Sequence, residues 1–103
     1  MKKIKDFNLS QVPNWQIVFV VSSDKDYEMQ RHIYVEGYPN YDDCTIIEGS
    51  HCSCYDFDDT EWEAITYTQD ELITIMKNWY KNGYGTERVI APMILKYLSE
   101  IKE

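Results

Sequence analysis

The hydrophobic pattern of this 103-residue chain changes period once, at Thr68, and that change constrains the fold more than any other feature. Before it, apolar residues come in short runs rich in β-branched and aromatic side chains; after it, they recur at intervals of three and four. Trp15-Gln16-Ile17-Val18-Phe19-Val20-Val21-Ser22 is close to continuously apolar and reads as a central strand covered on both faces. Ser23 to Asp26 reads as a polar turn, and Arg31 to Glu36 as an antiparallel partner ending at Gly37. Tyr38 to Asp43 connects it to a third short strand, Cys44 to Glu48, and Trp62 to Tyr67 is the candidate fourth, beyond a cysteine-rich loop.

Thr68-Gln69-Asp70-Glu71 matches a capping box, in which a threonine hydroxyl and a glutamate side chain satisfy exposed helix N–H groups. Leu72, Ile75, Met76, Trp79 and Tyr80 then form one apolar stripe, and Asn82-Gly83 supplies a stop. Ile90, Ile94, Tyr97, Leu98 and Ile101 repeat the pattern in a last helix, with Pro92 either in its first turn or kinking it. The expected fold class is α+β: an antiparallel sheet of three to four strands followed by two C-terminal helices, as a single domain over 1–103. A chain of this length has a radius of gyration of ~13 Å and excludes a multi-domain enzyme. Trp15, Trp79 and Tyr80 are expected in the core, whereas Tyr38, Tyr41 and Tyr55 sit in polar stretches where they would serve as contact anchors.

Lys plus Arg total 10 against 18 Asp plus Glu, a formal charge of -8. That balance argues against direct binding to nucleic-acid backbones or anionic lipid and favours a cationic partner. The charge is segregated: residues 24 to 71 hold 14 acids against Lys25 and Arg31, while the remainder holds 8 bases and 4 acids. Asp56, Asp58, Asp59, Glu61 and Glu63 form the densest run, interleaved with Tyr55, Phe57 and Trp62. The longest clean apolar run, Ile17 to Val21, is too short for an export or membrane segment, so a cytoplasmic protein is expected.

All three cysteines and one of two histidines fall within eleven residues, as Cys44, His51, Cys52 and Cys54. Three thiols and an imidazole suit a closed tetrahedral zinc site of structural type. Convergence needs a sharp turn at Ser50-His51, which Gly49-Ser50 permits; His32 is the alternative to His51, and Asp42 or Asp43 a more distant one. The bland alternatives are a buried strand thiol at Cys44, and a redox pair or plain loop thiols at Cys52 and Cys54.

Other chemistries fail on their own terms. In Asp56-Phe57-Asp58-Asp59-Thr60-Glu61 a calcium loop would need glycine where Glu61 stands and a bidentate glutamate where Tyr67 stands. No nucleophile elbow, zinc-protease or deaminase motif occurs, so a non-catalytic protein is expected.

The stretch His51-Cys52-Ser53-Cys54-Tyr55-Asp56-Phe57-Asp58-Asp59, with Trp62 and the Thr68-Gln69-Asp70-Glu71 box, resembles small phage and prophage proteins of Gram-positive hosts, and in particular a type II anti-CRISPR protein. The resemblance implies a stoichiometric inhibitor of the RNA-guided DNA nuclease in the bacterial cytoplasm, blocking DNA access to basic channels or freezing domain motion. Anti-CRISPRs share neither one fold nor one motif, so no functional residues carry over from the group. The expected contacts, Tyr55, Asp56, Asp58, Asp59 and Glu61, come from the acidic run itself, with zinc bracing the loop beside them. The cationic ends, including Lys2, Lys3, Lys5, Lys77, Lys81, Arg88 and Lys96, depart from a pure DNA mimic.

Overall fold

The computed structural model describes residues 2–5, 7–23, 28–52 and 62–101. Five strands and two helices follow in order: β1 (Lys2–Lys3), β2 (Ile17–Ser23), β3 (Glu28–Glu36), β4 (Cys44–Cys52), β5 (Glu63–Tyr67), α1 (Gln69–Asn82) and α2 (Thr86–Ile101). The strands form one antiparallel sheet in the order β1-β5-β4-β3-β2. The expected α+β arrangement is present, with the two-residue β1 added beside β5. β2 is an edge strand rather than a central one: apolar continuity says nothing about a strand's edge, and on the face away from the helices Val20 is left 50% exposed.

Strand alternation sends side chains to two separate cores. On one face Val21, Tyr34, Cys44, Ile46 and Tyr67 pack beneath Leu72 and Met76 of α1 and Ile90, Ala91, Ile94 and Leu98 of α2. On the other, Ile33, Val35, Ile47 and Ala64 are covered by Ile4, Phe7, Leu9 and Val12 of the N-terminal segment. Ile4 also donates its N–H to the carbonyl of Ala64 at 2.9 Å, fixing that segment along β5.

The capping box forms as its spacing requires: Thr68 Oγ1 accepts from the Glu71 N–H at 3.2 Å, and Glu71 Oε1 accepts from the Thr68 N–H at 2.9 Å. The apolar stripe of α1 buries Leu72 and Met76 fully and Ile75 and Trp79 in part, but leaves Tyr80 56% exposed at its margin. Trp15, also expected inside, is 81% exposed. Pro92 stands at the seventh residue of α2, past the first turn, where it has no N–H for the carbonyl of Arg88. No helix among the described residues is long and apolar enough to cross a membrane.

Candidate docking surface

The register of the β3–β4 pair decides how the cysteines lie. Cys44 pairs with Glu36 at one end of β4 and Cys52 with Glu28 at the other. Eight strand steps at ~3.3 Å separate their backbones by ~26 Å, whereas a zinc–sulfur bond is ~2.3 Å. Cys44 therefore cannot share an ion with Cys52, and the set Cys44, His51, Cys52 and Cys54 does not assemble as expected. The reason is that β4 continues to Cys52 instead of stopping at Glu48 and turning at Ser50-His51. The side chains of His51 and Cys52, and the whole of Cys54, lie outside the described residues. Cys44 is 6% exposed and packs beside Tyr34; burial, the largest influence, pushes its thiol pKa up and the Tyr34 phenol likewise.

The alternative ligands are also placed elsewhere. Asp42 and Asp43 precede β4, at the Cys44 end. His32 pairs with Glu48, four strand steps or ~13 Å from Cys52, and both of its ring nitrogens face other groups. Nδ1 lies 2.5 Å from Thr86 Oγ1, which in turn donates to Gln30 Oε1 at 3.1 Å. Nε2 lies 3.4 Å from Glu48 Oε2, within ion-pair range but out of line for a hydrogen bond. The Trp79 ring meets the imidazole edge-on at 5.3 Å. Interaction with His32, outweighing burial, holds the Glu48 carboxyl below its usual range. A hydroxyl, an imidazole and a carboxylate in this order match the polar sequence of a nucleophile triad. His32 is nevertheless 0% exposed and Thr86 2%, leaving no approach for a substrate. The trio ties the first residue of α2 to the middle of the sheet. Among the described residues, no group of three His, Cys, Asp or Glu side chains is placed to hold a metal.

A different constellation gathers at the β3–β4 turn. Gly37 adopts φ +79°, a left-handed conformation that favours glycine, and reverses the chain after β3. Its N–H donates to the Asp43 carbonyl at 2.8 Å, and the Asp43 N–H to the Asn40 carbonyl at 3.0 Å. Asn40 Nδ2 donates to Asp43 Oδ2 at 3.0 Å. Thr45 Oγ1 donates to the Tyr38 carbonyl at 2.5 Å, which leaves it to accept from Thr66 Oγ1 at 3.0 Å. Gln16 Nε2 reaches across to the Gly37 carbonyl at 2.9 Å, joining this turn to the short 3-10 turn Asn14–Gln16.

The braced junction displays two aromatic side chains, Trp15 at 81% and Tyr41 at 93% exposure, with Asp42 exposed and Glu36 and Asp43 half-buried. Large aromatics on a hydrogen-bonded turn lose little freedom on binding and supply the contact area that anchors interfaces, while the flanking acids select a cationic counterpart. The exposure of Tyr41 agrees with its place in a polar stretch; that of Trp15, expected in the core, does not. The signal available for it was its neighbours, Pro13, Asn14 and Gln16, which mark a turn before the strand proper. The run Tyr55, Asp56, Asp58, Asp59 and Glu61 lies outside the described residues. A depression of ≈380 Å³ between the helices, lined by Lys77, Asn78, Tyr80, Lys81 and Leu95, carries the opposite charge.

Comparison with protein-family models, curated proteins and solved structures gives no match to this chain.

Proposed function

We propose that this chain is a non-catalytic inhibitor that docks an acidic, aromatic surface on a bacterial type II CRISPR nuclease and blocks DNA loading or cleavage. The observation that supports it is the braced junction of Trp15 and Tyr41 beside Asp42 and Asp43, on a chain of net charge -8. Exposed aromatics and carboxylates on two adjoining turns suit a basic groove built for nucleic acid, where the acids would displace phosphates electrostatically and the rings add apolar contact. The acidic run Tyr55, Asp56, Asp58, Asp59 and Glu61 is the second part of the proposed contact. A zinc ion held near it would draw on His51, Cys52 and Cys54, without Cys44. The sequence resemblance supports a nuclease as the partner; the acids and aromatics of the surface support a cationic groove.

The test is DNA cleavage by purified nuclease–guide complex, with this protein added before or after target DNA. Stoichiometric inhibition when it is added first, weakening as salt rises, supports the proposal. Absence of binding to the nuclease removes it, and binding to another cytoplasmic protein in its place makes the chain an adaptor.

A further inference from the structure

The two edges of the sheet differ in kind. β1 is two residues long and both are lysines, a charged, short edge of the sort that resists pairing with other strands. β2 is seven residues long, Ile-Val-Phe-Val-Val-Ser-Ser, with no charge, proline or glycine to blunt it. It pairs only with β3 among the described strands, so its outer side presents backbone donors and acceptors along ~23 Å. Its one irregularity is the register shift between Ile17 and Phe19, which leaves the stretch from Phe19 onward regular.

The flanking surface is apolar as well. Val20 pairs with Ile33 on the face away from the helices and is 50% exposed, so the N-terminal cover stops short of this edge. On the other face α2 packs over β2, with Tyr97 meeting Phe19 edge-on at 5.6 Å. At 100° per residue, Val89 and Met93 share the side of α2 that Tyr97 occupies, while Leu95 faces α1. Val89 is 51% and Met93 36% exposed. An uncharged strand edge therefore lies between an exposed valine on one face and an exposed Val–Met pair on the other.

We infer that β2 pairs antiparallel with β2 of a second copy about a two-fold axis, extending the sheet across both chains and bringing the Val89–Met93 flanks of the two α2 helices together. A second copy is the occupant because a two-fold contact sets a surface against itself. On a chain of net charge -8, that is favourable only where the surface carries no charge of one sign. β2 is uncharged; of the charges beside it, Lys96 and Glu100 on α2 have opposite signs, and Arg31, on the Val20 face, is held by a hydrogen bond to Ser22 Oγ at 2.8 Å. This inference does not depend on the nuclease reading, and salt acts on it in the reverse direction: screening the -8 charges strengthens association of like copies, whereas it weakens docking of acids on a basic groove.

Sedimentation analysis of the full chain from low to high micromolar concentration tests it. The expected result is a concentration-dependent shift from the 12.3 kDa chain mass to twice that value, stronger at higher salt. Val20→Lys should raise the dissociation constant ~10-fold or more while keeping the circular dichroism spectrum and melting temperature. Met93→Lys, on the other element, should weaken the dimer too and covers the case in which the first variant fails to fold. A monomer at every concentration, open-ended association, or a dimer untouched by both substitutions overturns the inference.

Discussion

His32 is approached at its two ring nitrogens by polar groups from two other elements, Thr86 of α2 and Glu48 of β4, and it has no exposure through which water could substitute for either of them. Thr86 Oγ1 is the joint of this arrangement, since it also bonds Gln30. Thr86→Val keeps the shape and removes the hydroxyl, leaving buried polar atoms without a partner; the expected loss is ~1–3 kcal/mol in urea unfolding, while Thr86→Ser should recover most of it. The depressed Glu48 pKa fixes a sign. Its contribution is fully present above the unfolded value, ~4.3, and is lost as pH falls through the lower folded value. Urea midpoints measured down through pH 4 should drop more steeply for the native chain than for Glu48→Gln. Cys44 gives a third expectation. A thiol that is buried and whose pKa is raised reacts slowly, so timed alkylation followed by peptide mass spectrometry should leave Cys44 unlabelled until the chain is denatured. Rapid labelling of Cys44 in the folded protein would contradict its placement.

At the scale of elements, the order of strands and helices was legible because it rests on period, and period survives in any context. The stretch from Thr68 onward shows this, with α1 starting directly after its capping threonine. Thr68→Ala should cost ~1 kcal/mol of stability by the same unfolding measurement. Gly83 ends α1 for a reason the sequence does not display. Its φ is -72°, open to any residue, but a Cβ there would lie 2.6 Å from the Trp79 carbonyl oxygen and 3.0 Å from Glu87 Cβ. Strand length was not legible. Glu28 to Gln30 and Gly49 to Cys52 are mostly polar or small, with no apolar alternation to announce pairing, yet they extend β3 and β4 by pairing with each other. That extension carries Cys52 away from Cys44, so closeness in sequence did not become closeness in space. β1 and the N-terminal cover were equally hidden, since Ile4, Phe7, Leu9 and Val12 follow no single period and gain their place only from the sheet beneath them.

Across the whole molecule, the end formed by the β3–β4 turn and the 3-10 turn before β2 displays aromatics among acids, while α1 and α2 carry Lys77, Lys81, Arg88 and Lys96. That exposed acids and aromatics stand on the surface was legible from composition and from Tyr41. Their location was not, because the turn that carries Trp15 meets the β3–β4 turn through a side-chain bond from Gln16 to a carbonyl 21 residues away. If this end docks a basic groove, Asp42→Lys should slow association with the partner and lessen its salt dependence, without moving the melting temperature. The most direct measurement is a binding titration of purified nuclease–guide complex with the native chain and with a Trp15→Ala, Tyr41→Ala double variant that unfolds at the native temperature. Tight binding by the native chain is expected, with a loss of at least ~30-fold for the double variant, in which two anchors are truncated. Equal affinity of the two would contradict docking through this end.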